Sequence, residues 1–328
     1  MRTLAILGLA LCACDDDAGG PIDAGLDLSA SAPDLATGPT AARGEYLVKY
    51  LLACGDCHTT PGPTGLPSTA PSDFLAGGRD FDLGPLGHVY AKNLTPDDTN
   101  GLGSWTIDQI RRAIKNGTDD QMKPLFPIMP YYMFHNLTED DANSIAMFLK
   151  SLPPQPHMVP ESTATVPVTS PLIDGTMIPH TTLASSDPAF AAAERGRYLV
   201  SVSCVECHTK HLAPGQATVL DQSKWFGGGE TFALAPGLTT ISANITPDGT
   251  GLAGWSVSDI VGTLKTDQER GTGRMLCPPM IGGPERLGGL TDGDLSDIAN
   301  YVHTLPAVAN GPFGCDDAGV PYGLPDGG

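Results

Sequence analysis

The chain contains the pattern Cys-x-x-Cys-His twice, at residues 54–58 and at residues 204–208. Two thiols at this spacing can each form a thioether with one haem vinyl group, and the histidine that follows can then bind the iron. Because the chain has only 8 Cys and 8 His in 328 residues, two such patterns are not expected by chance. The patterns predict two covalently bound haem c groups, each with a domain core built around it.

Two other uses of Cys-x-x-Cys are a redox-active dithiol and a zinc site. A dithiol does not require an adjacent histidine twice, and a zinc ribbon requires its two cysteine pairs much closer together in sequence. The haem interpretation therefore assigns three residues to each site. They are Cys54, Cys57 and the proximal ligand His58 in the first pattern, and Cys204, Cys207 and the proximal ligand His208 in the second.

The sequence around the two patterns is duplicated. Residues 43–48, Arg-Gly-Glu-Tyr-Leu-Val, return at 195–200 as Arg-Gly-Arg-Tyr-Leu-Val. Asn-Leu-Thr-Pro-Asp at 93–97 returns at 244–248 as Asn-Ile-Thr-Pro-Asp, and a Gly-Leu-x-x-Trp stretch also occurs in both copies. The repeat unit has the size of a whole domain, which predicts two tandem domains.

Helical signals dominate each copy. A capping box is expected at Thr106, further N-caps at Thr138 and Thr291, and a helix start at Asp187 followed by proline. No segment shows sustained strand alternation, so the predicted fold is all-α, with two small helical cytochrome c domains around one haem each. The predicted order is a signal peptide (1–13), a disordered tether (14–42), domain 1 (43–155), a linker (156–186), domain 2 (187–307) and a tail (308–328).

The N-terminus predicts export. The apolar run at residues 4–11 is too short to cross a bilayer of roughly 30 Å, so it is interpreted as a signal peptide. Leu-Cys-Ala-Cys at 11–14 resembles a bacterial lipobox, which favours lipid attachment at Cys14; Cys12 fits less well, and an ordinary secretory signal is the alternative. With the polar tether that follows, the sequence predicts a lipid anchor at the periplasmic face of a bacterial membrane.

A haem iron bound by one histidine needs a second axial ligand or leaves an open position. Met129, in Pro-Ile-Met-Pro, and Met280, in Pro-Pro-Met, each lie shortly before the last capped helix of their copy. They are the predicted distal ligands. The competing side chains nearby are Met122, Met133 and His135 in the first copy, and Met275 and Cys277 in the second.

Cys277 and Cys315 remain once the signal and haem cysteines are assigned. An even pair in an exported chain predicts a disulfide, with thiolate ligation of iron by Cys277 as the alternative. Each proximal histidine also needs an acceptor for its other ring nitrogen. A backbone carbonyl in the proline-rich loop after each pattern is expected to accept it, at residues 61–63 and around Pro214.

The formal net charge of −19 argues against binding to nucleic acid or to anionic lipid. It favours redox partners with a basic docking patch, although acidity also serves solubility.

The haem patterns, the Asn-Ile-Thr-Pro-Asp segment, the Gly-Leu-x-x-Trp turn and the Met-Pro-Tyr element at 129–131 resemble a known family. They are similar to the multihaem cytochrome c subunits of bacterial membrane-bound alcohol and gluconate dehydrogenases, over residues 43–153 and 190–306. The resemblance implies the same haem cysteines, proximal histidines and distal methionines as above. Those subunits carry three haem patterns and this chain two, and the second copy reads Met-Ile-Gly where the first reads Met-Pro-Tyr.

The predicted function is single-electron transfer between redox partner proteins, such as a dehydrogenase, another cytochrome or an oxidase, and not enzymatic catalysis. Two alternatives stay open. One is a di-haem enzyme, such as a peroxidase or a thiosulfate dehydrogenase, with one open or thiolate-ligated iron. The other is a lipoprotein whose haems have a sensory or structural role.

Overall fold

The computed structural model describes residues 38–62, 67–164, 171–212, 219–235, 238–280 and 285–311. The predicted signal peptide, most of the tether with Cys12 and Cys14, and Cys315 in the tail lie outside the described residues. Within the described ranges, no helix is both long enough and apolar enough to cross a membrane.

The described residues form two halves whose shared elements follow the same order. The first half contains α1 (Ala41–Tyr46), continued by a π-helix (Leu47–Leu51), then α2 (Cys54–His58), β1 (Asp80–Asp82), β2 (His88–Tyr90), α3 (Ile107–Asn116), α4 (Tyr131–Phe134) and α5 (Glu139–Ser151). The second half contains α6 (Phe190–Ser201), α7 (Val205–His208), β3 (Thr231–Ala235), β4 (Leu238–Ile241), α8 (Val257–Thr266) and α9 (Asp292–His303). Among the described residues, the π-helix and α4 occur in the first half only.

The all-α prediction holds only in part, because the fold is mostly helical but each half also contains an antiparallel hairpin. β1 pairs with β2, and β3 pairs with β4. These strands are three to five residues long. Such short strands give too few residues for alternating polarity to be recognised in the sequence.

The caps expected at Thr106, Thr138 and Thr291 are present. Thr106 forms a capping box with Gln109, and α3 ends at Gly117 in the left-handed conformation. Thr138 and Thr291 cap α5 and α9 by accepting the backbone N–H three residues further on. The expected start of α6 was wrong: the side chain of Asp187 accepts the N–H of Ala189 at 2.8 Å, which forms a turn, and the helix begins at Phe190.

In each half, the first helix crosses the last helix at a glycine. A Cβ added to Gly44 would lie 1.9 Å from the carbonyl oxygen of Ser144, and one added to Gly196 would lie 1.9 Å from that of Asp297. The repeated glycine is therefore required by the close approach of the two backbones. A bidentate Arg–Asp ion pair joins the two helices at each crossing: Arg43 with Asp141, and Arg195 with Asp297.

The two halves meet through a reciprocal pair of tyrosines. Tyr46 of the first half donates its hydroxyl to Asp294 of the second at 2.5 Å, and Tyr198 of the second donates to Asp141 of the first at 2.6 Å. Each hydroxyl also accepts the N–H of the residue that caps the other half's last helix. Since the partners occupy equivalent positions in the repeat, the halves are related by an approximate twofold axis. Their buried apolar side chains form one continuous cluster.

Candidate haem sites

Both haem patterns fold as a single short helical turn. Cys54 begins α2 and Cys57 lies three residues on, so the two sulfurs belong to one face of that turn. Cys204 is the N-cap residue of α7, and Cys207 lies within it. All four are free thiols, and each pattern ends its helix on the histidine.

The surroundings of these thiols disfavour thiolate chemistry. Burial raises the pKa of Cys54 and of Cys207 to about 12, and it also raises the pKa of Cys57 and of Cys204. A redox dithiol or a zinc site needs thiolates, which are stabilised by the opposite shift. Across the described ranges, no three His, Cys, Asp or Glu side chains gather as a metal-binding group.

The two histidines have the same hydrogen bond. His58 Nδ1 lies 2.8 Å from the carbonyl oxygen of Lys92, and His208 Nδ1 lies 2.8 Å from that of Ala243. A carbonyl can only accept, so Nδ1 carries the proton and Nε2 keeps the lone pair that binds iron. Burial lowers the pKa of both histidines, which favours the neutral imidazole. The donor sets therefore fit two haem groups.

The expected location of these acceptors was wrong. The acceptor is a backbone carbonyl, as predicted, but it does not come from the proline-rich loop that follows each pattern. It comes from the residue immediately before the repeated Asn-x-Thr-Pro-Asp segment, which is Lys92 in the first half and Ala243 in the second. The chain returns to the histidine only after the hairpin, and short-range sequence reasoning does not foresee that approach.

The repeated asparagine holds in place the loop that supplies the carbonyl of Lys92 or Ala243, which is called the carbonyl loop below. Asn93 Oδ1 accepts from the N–H and hydroxyl of Thr95, at 2.9 and 2.7 Å, while its Nδ2 donates to the carbonyl of Gln155 at 2.8 Å. Asn244 makes the same bonds to Thr246, at 2.9 and 2.8 Å, and to the carbonyl of Val308 at 2.7 Å. The segment that follows the last helix is thus fastened across the carbonyl loop in each half.

Sequence reasoning missed the role of Asn93 and Asn244, although the repeat contained the signal. The Asn-x-Thr-Pro-Asp segment is among the best preserved stretches between the two copies. A buried asparagine that bonds a threonine two residues on is a local turn, and the repetition shows that both copies need it.

A glycine brings the backbone close to each histidine. The N–H of Gly77 donates to the carbonyl of His58 at 2.6 Å, and that of Gly228 donates to the carbonyl of His208 at 2.8 Å. Both glycines have positive φ, +79° and +69°, and a Cβ at either one would lie under 3 Å from backbone atoms of the carbonyl loop. The close approach of the backbone at these two positions therefore requires glycine.

Met129 and Met280 occupy the same position in equivalent loops. The N–H of Met129 donates to the carbonyl of Phe126 at 3.1 Å, and the N–H of Met280 donates to that of Cys277 at 2.9 Å. Both side chains are partly buried. The offset between the two copies is 151 residues both at the repeated asparagine (244 − 93) and at the methionine (280 − 129), and it becomes 153 at the cap of the last helix (291 − 138). Residues 281–284, which lie between Met280 and that helix, are outside the described part. Met129 and Met280 are therefore equivalent positions of the repeat, although the number of residues from the methionine to the last helix differs between the copies.

The competing side chains lie in other environments. Met122 and Met275 are 62% and 49% exposed, while Met133 is only 3% exposed within α4, in the apolar cluster. His135 Nδ1 lies 3.2 Å from the carbonyl of Lys115. Cys277 is disulfide-bonded; since Cys315 lies outside the described residues, its pairing with Cys277 stays a prediction.

Each haem pattern also contacts the opposite half. Asp56, between the first pair of cysteines, forms an ion pair with Arg286 of the second half at 3.3 Å. Glu206, between the second pair, accepts a hydrogen bond from the buried Tyr132 of the first half, and burial and this carboxylate together raise the pKa of Tyr132. The interface between the halves therefore lies beside both patterns.

The two sites bring together the residues that c-type cytochromes use to hold haem. No family model matches the chain. The chain is nevertheless similar in sequence to a diheme cytochrome c-type protein and to cytochrome subunits of alcohol, gluconate and fructose dehydrogenases.

Three relatives illustrate this. The chain is 30% identical to the fructose dehydrogenase cytochrome subunit of Gluconobacter japonicus over 84% of its own length and 55% of that subunit. It is 29% identical to a diheme cytochrome c-type protein of Cereibacter sphaeroides over 85% of its length and 90% of that protein. It is 30% identical to the cytochrome c subunit of a quinone alcohol dehydrogenase of Gluconobacter oxydans, over 84% of its length and 57% of that subunit. The chain thus spans little more than half of the two dehydrogenase subunits.

Proposed function

We propose that this protein is a di-haem c-type cytochrome that transfers single electrons between redox partner proteins. The observation that carries the proposal is the repeated histidine geometry. In both halves, the histidine of a Cys-x-x-Cys-His pattern gives its Nδ1 proton to a carbonyl held by the same asparagine turn. Such a bond orients the imidazole and sets the tautomer that an iron ligand needs.

In this proposal, Cys54 and Cys57 hold the first haem and Cys204 and Cys207 the second, through thioether bonds. The bound haems supply one-electron chemistry at iron. The chain's own residues fix the histidine through Lys92 or Ala243 and keep the surrounding backbone rigid. The protein's contribution is thus ligand identity, orientation and burial.

Met129 and Met280 are the proposed distal ligands. Their support is the shared loop position, together with the exposure of Met122 and Met275 and the packing of Met133 within the core. With methionine as the second iron ligand, each site would be closed and its potential raised, which suits electron transfer.

The first experiment is maturation in a host that attaches haem c. The expected product carries two haems per chain, by mass and by absorbance of the reduced pyridine adduct, and Cys57→Ser or Cys207→Ser retains one firmly attached haem. A full-length product with no haem, or with a single haem, contradicts the proposal.

The second experiment tests the distal ligands. Met129→His is expected to lower the potential of one haem and leave the other nearly unchanged, and Met280→His is expected to do the same to the other haem. Met122→His serves as a matched control on an exposed methionine. An unaltered redox titration of Met129→His shows that Met129 does not bind iron.

The same sample separates electron transfer from the di-haem enzyme. Turnover with peroxide, or a high-spin ferric spectrum in one half, favours an enzyme with an open iron site. Thiolate ligation by Cys277 is disfavoured because that sulfur is disulfide-bonded.

The proposed partner is a dehydrogenase that delivers electrons to this chain, by analogy with the dehydrogenase cytochrome subunits to which it is similar. The proposed location is the periplasmic face of a bacterial membrane, through a lipid on Cys14. Mass spectrometry of the N-terminal peptide tests the lipid, and Cys14→Ser is expected to release the protein from membranes.

A further inference from the structure

Arg286 links one haem site to the other. Its Nη2 lies 3.3 Å from Oδ2 of Asp56, inside the first haem pattern, and its Nη1 donates to the carbonyl of Pro279 at 2.5 Å. Pro279 immediately precedes Met280, the proposed distal ligand of the second haem. One guanidinium therefore joins the histidine side of the first site to the methionine side of the second.

The stability provided by this ion pair does not account for the position of Arg286. Its side chain is 28% exposed and that of Asp56 is 43% exposed. Ion pairs that are exposed to this degree add little to the free energy of unfolding. The charge itself is the more consequential property, because it lies at the interface between the halves, beside both patterns.

This cation lies next to residues of both haem sites. Asp56 directly precedes Cys57, a proposed attachment point of the first haem, and Pro279 directly precedes Met280, the proposed distal ligand of the second. The position of Arg286 therefore places its charge within electrostatic range of both sites.

A nearby cation favours the reduced haem, because ferric haem carries one more positive charge than ferrous haem. We infer that Arg286 is a shared positioning residue that joins the two haem sites across the interface and raises the reduction potentials of both haems. The inference rests on the proposed function, since it requires two bound haems.

The test is a redox titration of Arg286→Gln in the mature di-haem protein. Both one-electron potentials are expected to fall, each by about threefold in the equilibrium constant, or roughly 30 mV at 59 mV per tenfold. Arg286→Lys keeps the charge and is expected to restore most of this loss in both haems. The lysine variant also keeps the test decisive if the glutamine variant folds poorly.

Arg270 offers a matched control in the same half. It also joins an aspartate, Asp259, at 3.2 Å and a backbone carbonyl, that of Gly254, at 2.6 Å. Arg270→Gln is expected to leave both potentials unchanged. The inference is overturned if Arg286→Gln shifts one potential or neither, if the lysine variant is as low as the glutamine variant, or if Arg270→Gln shifts both equally.

Failure of this inference is distinguishable from failure of the proposed function. A wild-type protein without two haems overturns the proposed function. A wild-type protein with two haems whose potentials do not both respond to Arg286 overturns only the shared role of this residue.

Discussion

The two halves agree closely in how they position the histidine of each haem pattern. They differ in the residues that contact the haem patterns from the opposite half. The glycine crossings, the histidine–carbonyl bonds and the asparagine turns are present in both. The acidic residue between the cysteines, however, has different partners in the two halves. Asp56 pairs with Arg286, and Glu206 contacts the hydroxyl of Tyr132. The parts that position the histidines are shared, while the residues that contact each haem pattern from the opposite half differ.

This difference has a functional consequence. Two haems with equal ligands and equal surroundings have equal potentials, and electrons then have no preferred direction between them. A carboxylate paired with arginine beside one pattern, and a carboxylate facing a tyrosine hydroxyl beside the other, are a simple way to separate two potentials even where Arg286 acts on both. The comparison therefore predicts two inequivalent haems on one duplicated scaffold.

The largest effects are expected at the helix crossings. Gly44→Ala or Gly196→Ala places a Cβ 1.9 Å from a backbone oxygen, so each is expected to lower the free energy of unfolding by about 3 kcal/mol. Chemical denaturation of the mature wild-type and variant proteins measures this loss of unfolding free energy. Gly262→Ala in α8 is the control, because a Cβ there meets nothing within 4 Å. A mild loss at either crossing contradicts the close packing described here.

The asparagine turns come next. Asn93→Ala removes a buried side chain and leaves its partners unsatisfied, with an expected loss of about 2–3 kcal/mol. Because the turn holds the carbonyl of Lys92, the potential of the first haem is expected to change and that of the second is not. Asn244→Ala is expected to do the reverse.

Unfolding and redox titrations of the two variants measure both effects. Asn100→Ala, on a half-buried asparagine that bonds Asp97, is the control. Equal shifts of both haems in either variant contradict the independence of the two turns.

The reciprocal tyrosines test the approximate symmetry of the interface. Tyr46→Phe and Tyr198→Phe each remove a hydrogen bond to a buried carboxylate, and each is expected to cost about 1.5–2 kcal/mol of unfolding free energy. Thermal and urea unfolding measure the loss. Tyr50→Phe, which alters a ring packed edge-on against Tyr46, is expected to change little. A large difference between the first two variants breaks the symmetry.

The smallest effects are expected at the surface ion pairs that join α3 to α5 in the first half and α8 to α9 in the second. Glu139 pairs with Lys115 and Arg111, whereas the equivalent Asp292 pairs with Lys265. Glu139→Gln is expected to cost no more than about 0.5 kcal/mol, and Asp292→Asn still less.

The pH dependence of the Glu139 pair has a definite sign. The hydrogen bond from Lys115, and that from Arg111, hold the pKa of Glu139 below its ordinary value. The stabilisation is therefore present above the ordinary glutamate pKa and is lost as pH falls through the lowered value. Urea unfolding of wild type and Glu139→Gln is expected to converge in acid, and a gap that persists there contradicts the ion-pair explanation.

Much of the local structure could be predicted because its causes are local. Thr106, Thr138 and Thr291 cap helices as their sequence positions indicate, since a cap needs only its own turn. The start of α6 was misplaced by a few residues because Asp187 can cap either a helix or a turn. The hairpins escaped prediction because their short strands carry too weak a pattern.

The amino-acid sequence by itself determined the two haem patterns, which predict the haem chemistry, and the duplication. Thioether attachment depends on cysteines and a histidine that are adjacent along the chain, and a repeat is visible without any fold. The tertiary structure alone decided which carbonyl receives each histidine, how Tyr46 and Tyr198 join the halves, and where Arg286 lies. The bond from His58 to the carbonyl of Lys92 joins residues 34 positions apart, and the bond from Tyr46 to Asp294 joins residues 248 positions apart. Packing of the whole molecule, and not local spacing, brings such residues together.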